Sequence, residues 1–282
     1  MRSRLDDVVA ASLLGGGAVP AFTCYDFATA TAVVEAAETA AEEAGLGVVL
    51  NVAPKTAATR AGLRLIAALR TLADGASVPV CVQLDHAADA AVIADAVAAG
   101  ADAVLADGSA LPLEDNVAFV RHVRAIVGPD VVLEAELGGL AGDEDKAFAQ
   151  EAAGLTDPDE VRGFVERSGA QLLAVAIGNV HGRYRGEPQI RWDVLGRIAQ
   201  ESPVPLVLHG ASGIPAADLA RAASFRVGKV NVNTELRTAV LASVAGGVAG
   251  RQADGEDLAG LLREWSTAAG RVAGDVLATL RG

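Results

Sequence analysis

Short apolar runs alternate with longer, alanine-rich amphipathic stretches along most of the chain. The runs are rich in Val, Leu and Ile and do not alternate with polar positions, which is typical of parallel strands buried on both faces. They lie at residues 18–22, 47–51, 78–84, 102–106, 131–137, 172–177, 205–209 and 229–233. Helical patterns lie near 29–44, 59–73, 89–99, 113–127, 157–168, 191–201, 215–223 and 234–246. Eight strand–helix units in one uninterrupted chain favour a closed (β/α)8 barrel, the TIM barrel of the α/β class, over a doubly wound sheet.

Three further segments complete a predicted single domain over residues 1–282. A short helix near 4–14 is expected to close the bottom of the barrel, and the tail over 255–281 predicts an extra C-terminal helix. The segment 138–156 is a long insertion after a strand. Its glycines and charges predict a mobile loop at the mouth of the barrel.

The composition narrows the class of protein. With 282 residues and 51% hydrophobic side chains, the chain can bury a large core. A net charge of −13 argues against a nucleic-acid partner, which needs a basic surface. No apolar run reaches the roughly 18 residues of a membrane span, and the sequence shows no charged-then-apolar leader. We therefore expect a soluble, cytoplasmic protein with no membrane partner.

Three of the four histidines stand where predicted strands end: His86, His181 and His209. The carboxyl ends of barrel strands converge on one mouth, so these imidazoles are expected to meet there. Three neutral imidazoles with one open position form a common catalytic zinc site, in which the metal acts as a Lewis acid. Because imidazole discriminates weakly among metals, Zn²⁺ is predicted with Co, Mn or Fe as alternatives.

Carboxylates follow the same strand ends. Asp85 directly precedes His86, and both side chains reach the mouth only if the strand ends there. Asp107 ends the fourth strand, and Glu134 and Glu136 are two apart on the fifth, so the two glutamates share a face. Charges inside a barrel are costly unless they are paired or functional. A polar layer paired with arginine is the alternative to a catalytic role.

Glycine-rich turns predict an anion site at the mouth. Gly182 follows His181, and Gly210 to Gly213 (GASG) follow His209, while Asn231 and Thr234 close the eighth strand. Such turns after the last two strands of a barrel bind phosphate through backbone N–H groups. None of the three lysines ends a strand at the mouth, and Lys229 begins the last run at the opposite end. A Schiff-base mechanism is therefore disfavoured.

Several strings in these positions resemble one enzyme family. QLDH, ADGS, EAELG, LAVAIGNVHGRYRGEP, PLVLHGASGIP and KVNVNTELR run in the family's order within about residues 14–240. The chain thus resembles the class II, metal-dependent ketose-bisphosphate aldolases, which include fructose-bisphosphate and tagatose-bisphosphate aldolases. The resemblance implies a lyase of carbohydrate metabolism, which cleaves and forms ketose 1-phosphates or 1,6-bisphosphates reversibly, with dihydroxyacetone phosphate as the enediolate component. It also implies a homodimer or homotetramer.

The resemblance assigns roles residue by residue. His86, His181 and His209 would hold zinc, Asp85 would exchange a proton with the aldehyde-derived oxygen, and Glu144 would deprotonate the dihydroxyacetone phosphate carbon. Asp107 and Glu136 would form a second carboxylate shell around the metal. The positions matched to dihydroxyacetone phosphate binding are Gly182, Gly210, Ser212, Asn231, Thr234 and Arg185, the last standing where the family usually has Lys. Carbonyls near Gly182 and Gly210 would match a monovalent cation site for Na⁺ or K⁺.

Departures from the family pattern fall on the half of the site that would hold the aldehyde. Thr23 replaces the usual Asn after the first strand, the segment 51–55 reads NVAPK, and the family's C-terminal DPRxY is absent from 255–270. These departures favour the hypothesis of a specialised acceptor aldehyde other than glyceraldehyde 3-phosphate. A zinc hydrolase and a non-catalytic binding barrel are the competing interpretations. The anion donors weigh against the first, and the retained Asp85 and histidines weigh against the second.

Overall fold

The computed structural model describes residues 1–44, 47–142, 146, 148–152 and 154–281. Its barrel strands are β1 (Val19–Thr23), β2 (Val48–Val52), β3 (Val80–Ala87), β4 (Ala103–Ala106), β5 (Val132–Leu137), β7 (Leu172–Val175), β9 (Leu206–Leu208) and β10 (Val227–Val232). Two short strands, β6 (Ala149–Gln150) and β8 (Arg183–Tyr184), pair with each other outside the barrel.

The barrel closes in the order β1-β10-β9-β7-β5-β4-β3-β2 with parallel pairing throughout the described strands. Each strand of this order is one of the eight apolar runs, with ends that differ from the predicted bounds by a few residues. The predicted (β/α)8 TIM barrel is therefore confirmed. The strands β6 and β8 were not predicted, because two residues carry no periodicity.

Helices connect the successive barrel strands, and helices also lie before the first strand and after the last. They are α1 (Leu5–Leu14), α2 (Phe27–Ala44), α3 (Pro54–Ala57), α4 (Arg60–Gly75), α5 (Ala90–Ala99), α6 (Leu113–Val127), α7 (Pro158–Ser168), α8 (Trp192–Glu201), α9 (Ala216–Ala220), α10 (Thr234–Ala253) and α11 (Leu258–Leu280). A 3₁₀ helix over Ala222–Phe225 follows α9. The predicted C-terminal helix is α11, which packs against α2 and α10. No described helix combines the length and apolar character that a bilayer crossing requires.

The apolar core has two parts. The larger part lies between the strands and the surrounding helices, as the unalternating strands require. The smaller part fills the bottom of the barrel, where Leu5, Val8 and Val9 of α1 pack with Val19 and Val49. The helix α1 therefore closes the bottom of the barrel as predicted. The upper interior is polar instead, and it leads to the mouth.

Candidate functional site

Three histidines meet at the mouth of the barrel. One ring nitrogen from each of His86, His181 and His209 lies within 4.8 Å of the other two. His86 Nε2 is 2.8 Å from His209 Nδ1, and His181 Nε2 is buried without a hydrogen-bond partner in the described chain. A buried nitrogen without a partner is uncommon in a folded protein and often marks the place of an ion or a ligand. The structure thus brings together the three imidazoles that the strand ends indicated.

A β-bulge lets Asp85 and His86 serve the same site. Leu84 pairs with Val104, but Ala87 pairs with Ala106, so β3 carries one extra residue between these pairs. His86 has a φ of 45°, in the left-handed region that non-glycine residues rarely adopt. The strand does not end at Asp85, as sequence reasoning required, but continues to Ala87. The bulge, and not the end of the strand, therefore directs both side chains to the site. The left-handed backbone of His86 costs about 1–3 kcal/mol.

Two carboxylates contact His86 on the side away from His209. Asp107 Oδ2 is 2.9 Å and Glu136 Oε2 is 3.5 Å from His86 Nδ1. Burial opposes ionisation of Asp107, but hydrogen bonds from His86 and Ser109 outweigh it and hold its pKa below the ordinary value. Burial raises the pKa of Glu136 to about 8, and His86 partly opposes this rise. These contacts fix Nδ1 of His86 and leave Nε2 for the centre of the trio.

A buried ion pair supports His209 from below. His209 Nε2 is 2.8 Å from Glu134 Oε1, while Glu134 Oε2 is 2.7 Å from the ammonium of Lys229. Gln83 also donates to Glu134, and the side chains of Glu134, Lys229 and His209 are fully buried. Because Nε2 of His209 is held by Glu134, Nδ1 is the nitrogen that remains for a ligand.

Sequence reasoning did not find this support. It took Lys229 as the start of the last strand at the opposite end, which is wrong: β10 begins at Val227, so Lys229 is its third residue and lies inside the barrel. The spacing of Glu134 and Glu136 indicated that both face inward, but it did not show that Glu134 meets Lys229 across the barrel. A Schiff-base role remains disfavoured, because the Lys229 ammonium is held by a carboxylate.

Burial controls the protonation of the imidazoles. It lowers the pKa of His181 well below the ordinary value, and charge on His86 and His209 adds to this effect. It also lowers the pKa of His209, with partial opposition from Glu134. The two buried rings are therefore neutral at physiological pH, which is the form that binds metals. The donor set, with its unpartnered nitrogen, fits a divalent metal ion of the zinc type.

Asp85 is held next to the trio by two amides. Asn51 Nδ2 and Asn231 Nδ2 both donate to Asp85 Oδ2 at 2.9 Å, and Asn231 Nδ2 is 3.1 Å from His209 Nδ1. The other oxygen of Asp85 is buried and has no hydrogen-bond partner in the described part of the chain. Asp85 is thus oriented with one oxygen engaged and the other available. The contribution of Asn51 was not predicted.

The glycine turns form a cradle of polar groups beside the histidines. Gly182, Ser212 and Thr234 line a cavity of about 750 Å³, and Thr234 Oγ1 donates to the Gly182 carbonyl at 3.3 Å. Gly210 has a φ of 60°, and a Cβ there would lie 2.2 Å from the Val180 carbonyl oxygen, so only glycine fits. The Gly210 carbonyl accepts a hydrogen bond from Tyr184 at 2.8 Å.

One predicted residue, Arg185, does not lie at the centre of the site. Arg185 is exposed and forms an ion pair with Glu151 at 3.1 Å. Glu144 lies outside the described residues. A second cavity of about 320 Å³ is lined by His86, His181, Asp107, Glu136 and also Lys55, among others. Two of the three histidines thus line a smaller cavity that has a lysine at its wall.

Replacing Lys229 by methionine tests the buried ion pair. The change leaves the charge of Glu134 buried without its cation, so we expect the free energy of unfolding to fall by about 3–5 kcal/mol. Urea unfolding of the single variant and of the double variant Glu134→Gln/Lys229→Met measures this loss. The double variant, which buries no unpaired charge, should recover most of it. A single variant within about 1 kcal/mol of the unmodified protein would contradict the expectation.

Comparisons with known proteins agree on one family. A family model described as Fructose-bisphosphate aldolase class-II matches residues 3–280. D-tagatose-1,6-bisphosphate aldolase subunit GatY of Klebsiella oxytoca is 42% identical over 226 residues, which are 79% of this chain and 78% of that protein. The YdjI aldolase structure from Escherichia coli K12 is 29% identical, with a TM-score of 0.86 over 99% of this chain and 97% of that chain. A fructose-bisphosphate aldolase structure from Campylobacter jejuni, at 20% identity, has a TM-score of 0.79 over 99% and 95% of the two chains and shows the fold alone.

Proposed function

Because the chain belongs to the class II fructose-bisphosphate aldolase family, and is thus a lyase that cleaves ketose phosphates by aldol chemistry, we propose that His86, His181 and His209 hold its divalent metal ion. The observation that carries the proposal is the approach of the three ring nitrogens to within 4.8 Å of one another. The neutral, buried rings and the unpartnered nitrogen of His181 support it. Zinc is the metal proposed, with cobalt, manganese and iron as alternatives.

A metal held by the three histidines would act as a Lewis acid toward the oxygens of dihydroxyacetone phosphate and so would acidify its C–H bond. The protein then has to move two protons. We assign to Asp85 the proton exchange with the oxygen derived from the aldehyde, because its unengaged oxygen lies in the buried interior beside the trio. Glu144 is assigned the proton on the dihydroxyacetone phosphate carbon, on the family resemblance alone.

The cradle is proposed to bind the phosphoryl group of dihydroxyacetone phosphate. Its backbone N–H groups and the hydroxyls of Ser212 and Thr234 are donors suited to an oxyanion, and Gly182 and Gly210 let the backbone approach closely. Asn231, which the resemblance also matches to dihydroxyacetone phosphate binding, donates a hydrogen bond to Asp85. Arg185 is proposed to reach the phosphoryl group by leaving Glu151. A monovalent cation, Na⁺ or K⁺, at the carbonyls of Gly182 and Gly210 stays a prediction.

A second candidate function concerns the acceptor aldehyde. The segment after β2 departs from the family pattern and brings Lys55 to the wall of the cavity that contains His86 and His181. The departures favour an aldehyde other than glyceraldehyde 3-phosphate, and Lys55 would supply a cation for an anionic group on the acceptor. A cytoplasmic location is a further proposal from the sequence pattern, and a homodimer or homotetramer is a further proposal from the family.

A panel of acceptors tests the choice of aldehyde. Dihydroxyacetone phosphate and zinc are supplied with phosphorylated and neutral aldehydes, and the rate of aldol formation is measured for each. We expect a phosphorylated or carboxylated acceptor other than glyceraldehyde 3-phosphate to give the highest kcat/KM, and Lys55→Met to lower it at least about tenfold. Lys146→Met is the matched control. Cleavage of fructose 1,6-bisphosphate as efficient as that of the best ketose 1-phosphate would contradict the specialised acceptor.

A further inference from the structure

The cradle already contains an anion that belongs to the protein itself. Glu235, in the first turn of α10, accepts a hydrogen bond from the Ser212 hydroxyl through Oε2. Its Oε1 accepts a second hydrogen bond from the backbone N–H of Gly213 at 2.9 Å. One carboxylate thus engages both a hydroxyl donor and a backbone donor of the GASG turn. Glu235 lines the same cavity as Gly182 and Thr234.

A carboxylate and a phosphoryl group require the same kind of partner. Both are oxyanions that accept hydrogen bonds from hydroxyl and N–H donors, and both are favoured by the N-terminus of a helix such as α10. A phosphoryl group that uses Ser212 and Gly213 must therefore either displace Glu235 or bind next to its negative charge. Either event opposes binding, the first through lost hydrogen bonds and the second through repulsion.

We propose that Glu235 competes with the phosphoryl group of the substrate for Ser212 and Gly213, and so sets how tightly the cradle holds dihydroxyacetone phosphate. The proposal rests on the proposed function of the cradle and adds a residue to which no role was assigned. Glu235 is only partly buried, so its side chain has room to move away from the turn. When no phosphoryl group is bound, the Glu235 carboxylate accepts the hydrogen bonds of Ser212 and Gly213. Its negative charge weakens the binding of a phosphorylated product and so promotes product release.

Glu235 could instead stabilise the GASG turn, and this role has a different consequence. If the carboxylate were a brace that keeps the GASG turn in its binding conformation, its removal would loosen the turn and weaken phosphate binding. Competition and bracing therefore predict changes of opposite sign in one equilibrium constant. Glu235→Gln keeps the shape of the side chain without its charge, and Glu235→Ala removes the competing group altogether.

Calorimetric titration of the zinc-loaded protein with inorganic phosphate measures this constant. We expect Glu235→Gln and Glu235→Ala to bind phosphate roughly tenfold more tightly than the unmodified protein. The KM for a ketose phosphate should fall in parallel, whereas kcat should stay the same or fall because product leaves more slowly. Glu35→Gln, which removes an equal charge from the exposed surface of α2, is the control and should change neither value.

Unchanged or weaker phosphate binding in both Glu235 variants would overturn the competition. Ser212→Ala separates this failure from a failure of the cradle itself. If Ser212→Ala weakens phosphate binding but the Glu235 variants do not strengthen it, the cradle stands and the role of Glu235 falls. If Ser212→Ala leaves phosphate binding unaltered, both the cradle and the competition are overturned.

Discussion

Replacing His181 by alanine is expected to remove the metal from the protein and nearly all aldol activity with it. His181 contributes the buried nitrogen that has no hydrogen-bond partner in the described chain. Its replacement removes one of the three nitrogens proposed to bind the metal, and alanine offers no substitute. Loss of a supporting contact lowers metal affinity about 10–100-fold, and loss of a ligand should exceed this range. The rate should fall by about three orders of magnitude, as expected when Lewis-acid catalysis worth several kcal/mol is lost.

Metal content after dialysis and kcat for ketose phosphate cleavage are the two measurements for this variant. His122→Ala is the matched control, because His122 is the fourth histidine and lies exposed on α6, away from the mouth. It should retain full metal content and full activity. A His181→Ala protein that keeps one metal ion per chain with unaltered affinity would show that the trio is not the metal site.

Replacing Asp85 by asparagine is expected to lower kcat for cleavage by about 10²–10⁴-fold while the metal stays bound. The amide oxygen of asparagine can still accept the hydrogen bonds from Asn51 and Asn231 that now reach Asp85 Oδ2. The local structure should therefore persist, and the loss should report the missing proton exchange. Cleavage of a ketose phosphate, together with metal analysis, checks this expectation.

A second readout separates Asp85 from the base that acts on carbon. If Asp85 serves only the oxygen derived from the aldehyde, Asp85→Asn should still catalyse exchange of the dihydroxyacetone phosphate C–H proton with solvent. If Asp85→Asn lost proton exchange and cleavage to the same degree, Asp85 would not act on the aldehyde-derived oxygen alone, and our assignment would be wrong. Asp95→Asn, on the exposed face of α5, is the control for the charge change and should behave as the unmodified protein.

The barrel could be predicted because its strands are buried on both faces. Each strand appears in the sequence as a run rich in Val, Leu, Ile or Ala, and each His at the end of a run marks the side of the barrel where the runs converge. The bottom helix α1 could be predicted as well, because its apolar residues precede the first strand directly. The sequence pattern was sufficient to predict elements whose burial depends on residues close together in the chain.

The details that the sequence did not reveal depend on contacts between distant strands. Lys229 contacts Glu134 because of the shift of β10 relative to β5 along the barrel axis. The spacing of residues within one strand does not encode this shift. The bulge at Asp85 and His86 is equally hidden, because an extra residue is defined only relative to the neighbouring strand β4. Glu235 likewise reaches Ser212 from a different turn of the chain.

These hidden contacts surround the predicted residues and explain their arrangement. His86 contacts Asp107 and Glu136, which the resemblance places in a carboxylate shell around the metal, whereas His209 contacts Glu134, to which no role was assigned. Each of these two rings therefore has one nitrogen engaged by carboxylate and the other left for the shared centre. This arrangement is common around catalytic metals, where carboxylates fix the orientation of the ligating imidazoles.

We propose that a metal held by His86, His181 and His209 enables removal of the dihydroxyacetone phosphate proton. The most direct test is proton exchange between labelled dihydroxyacetone phosphate and solvent, catalysed by the protein before chelation, after chelation and after zinc is restored. We predict that exchange is lost on chelation and returns with one zinc ion per chain. Exchange that continues at the same rate in the metal-free protein would contradict the claim.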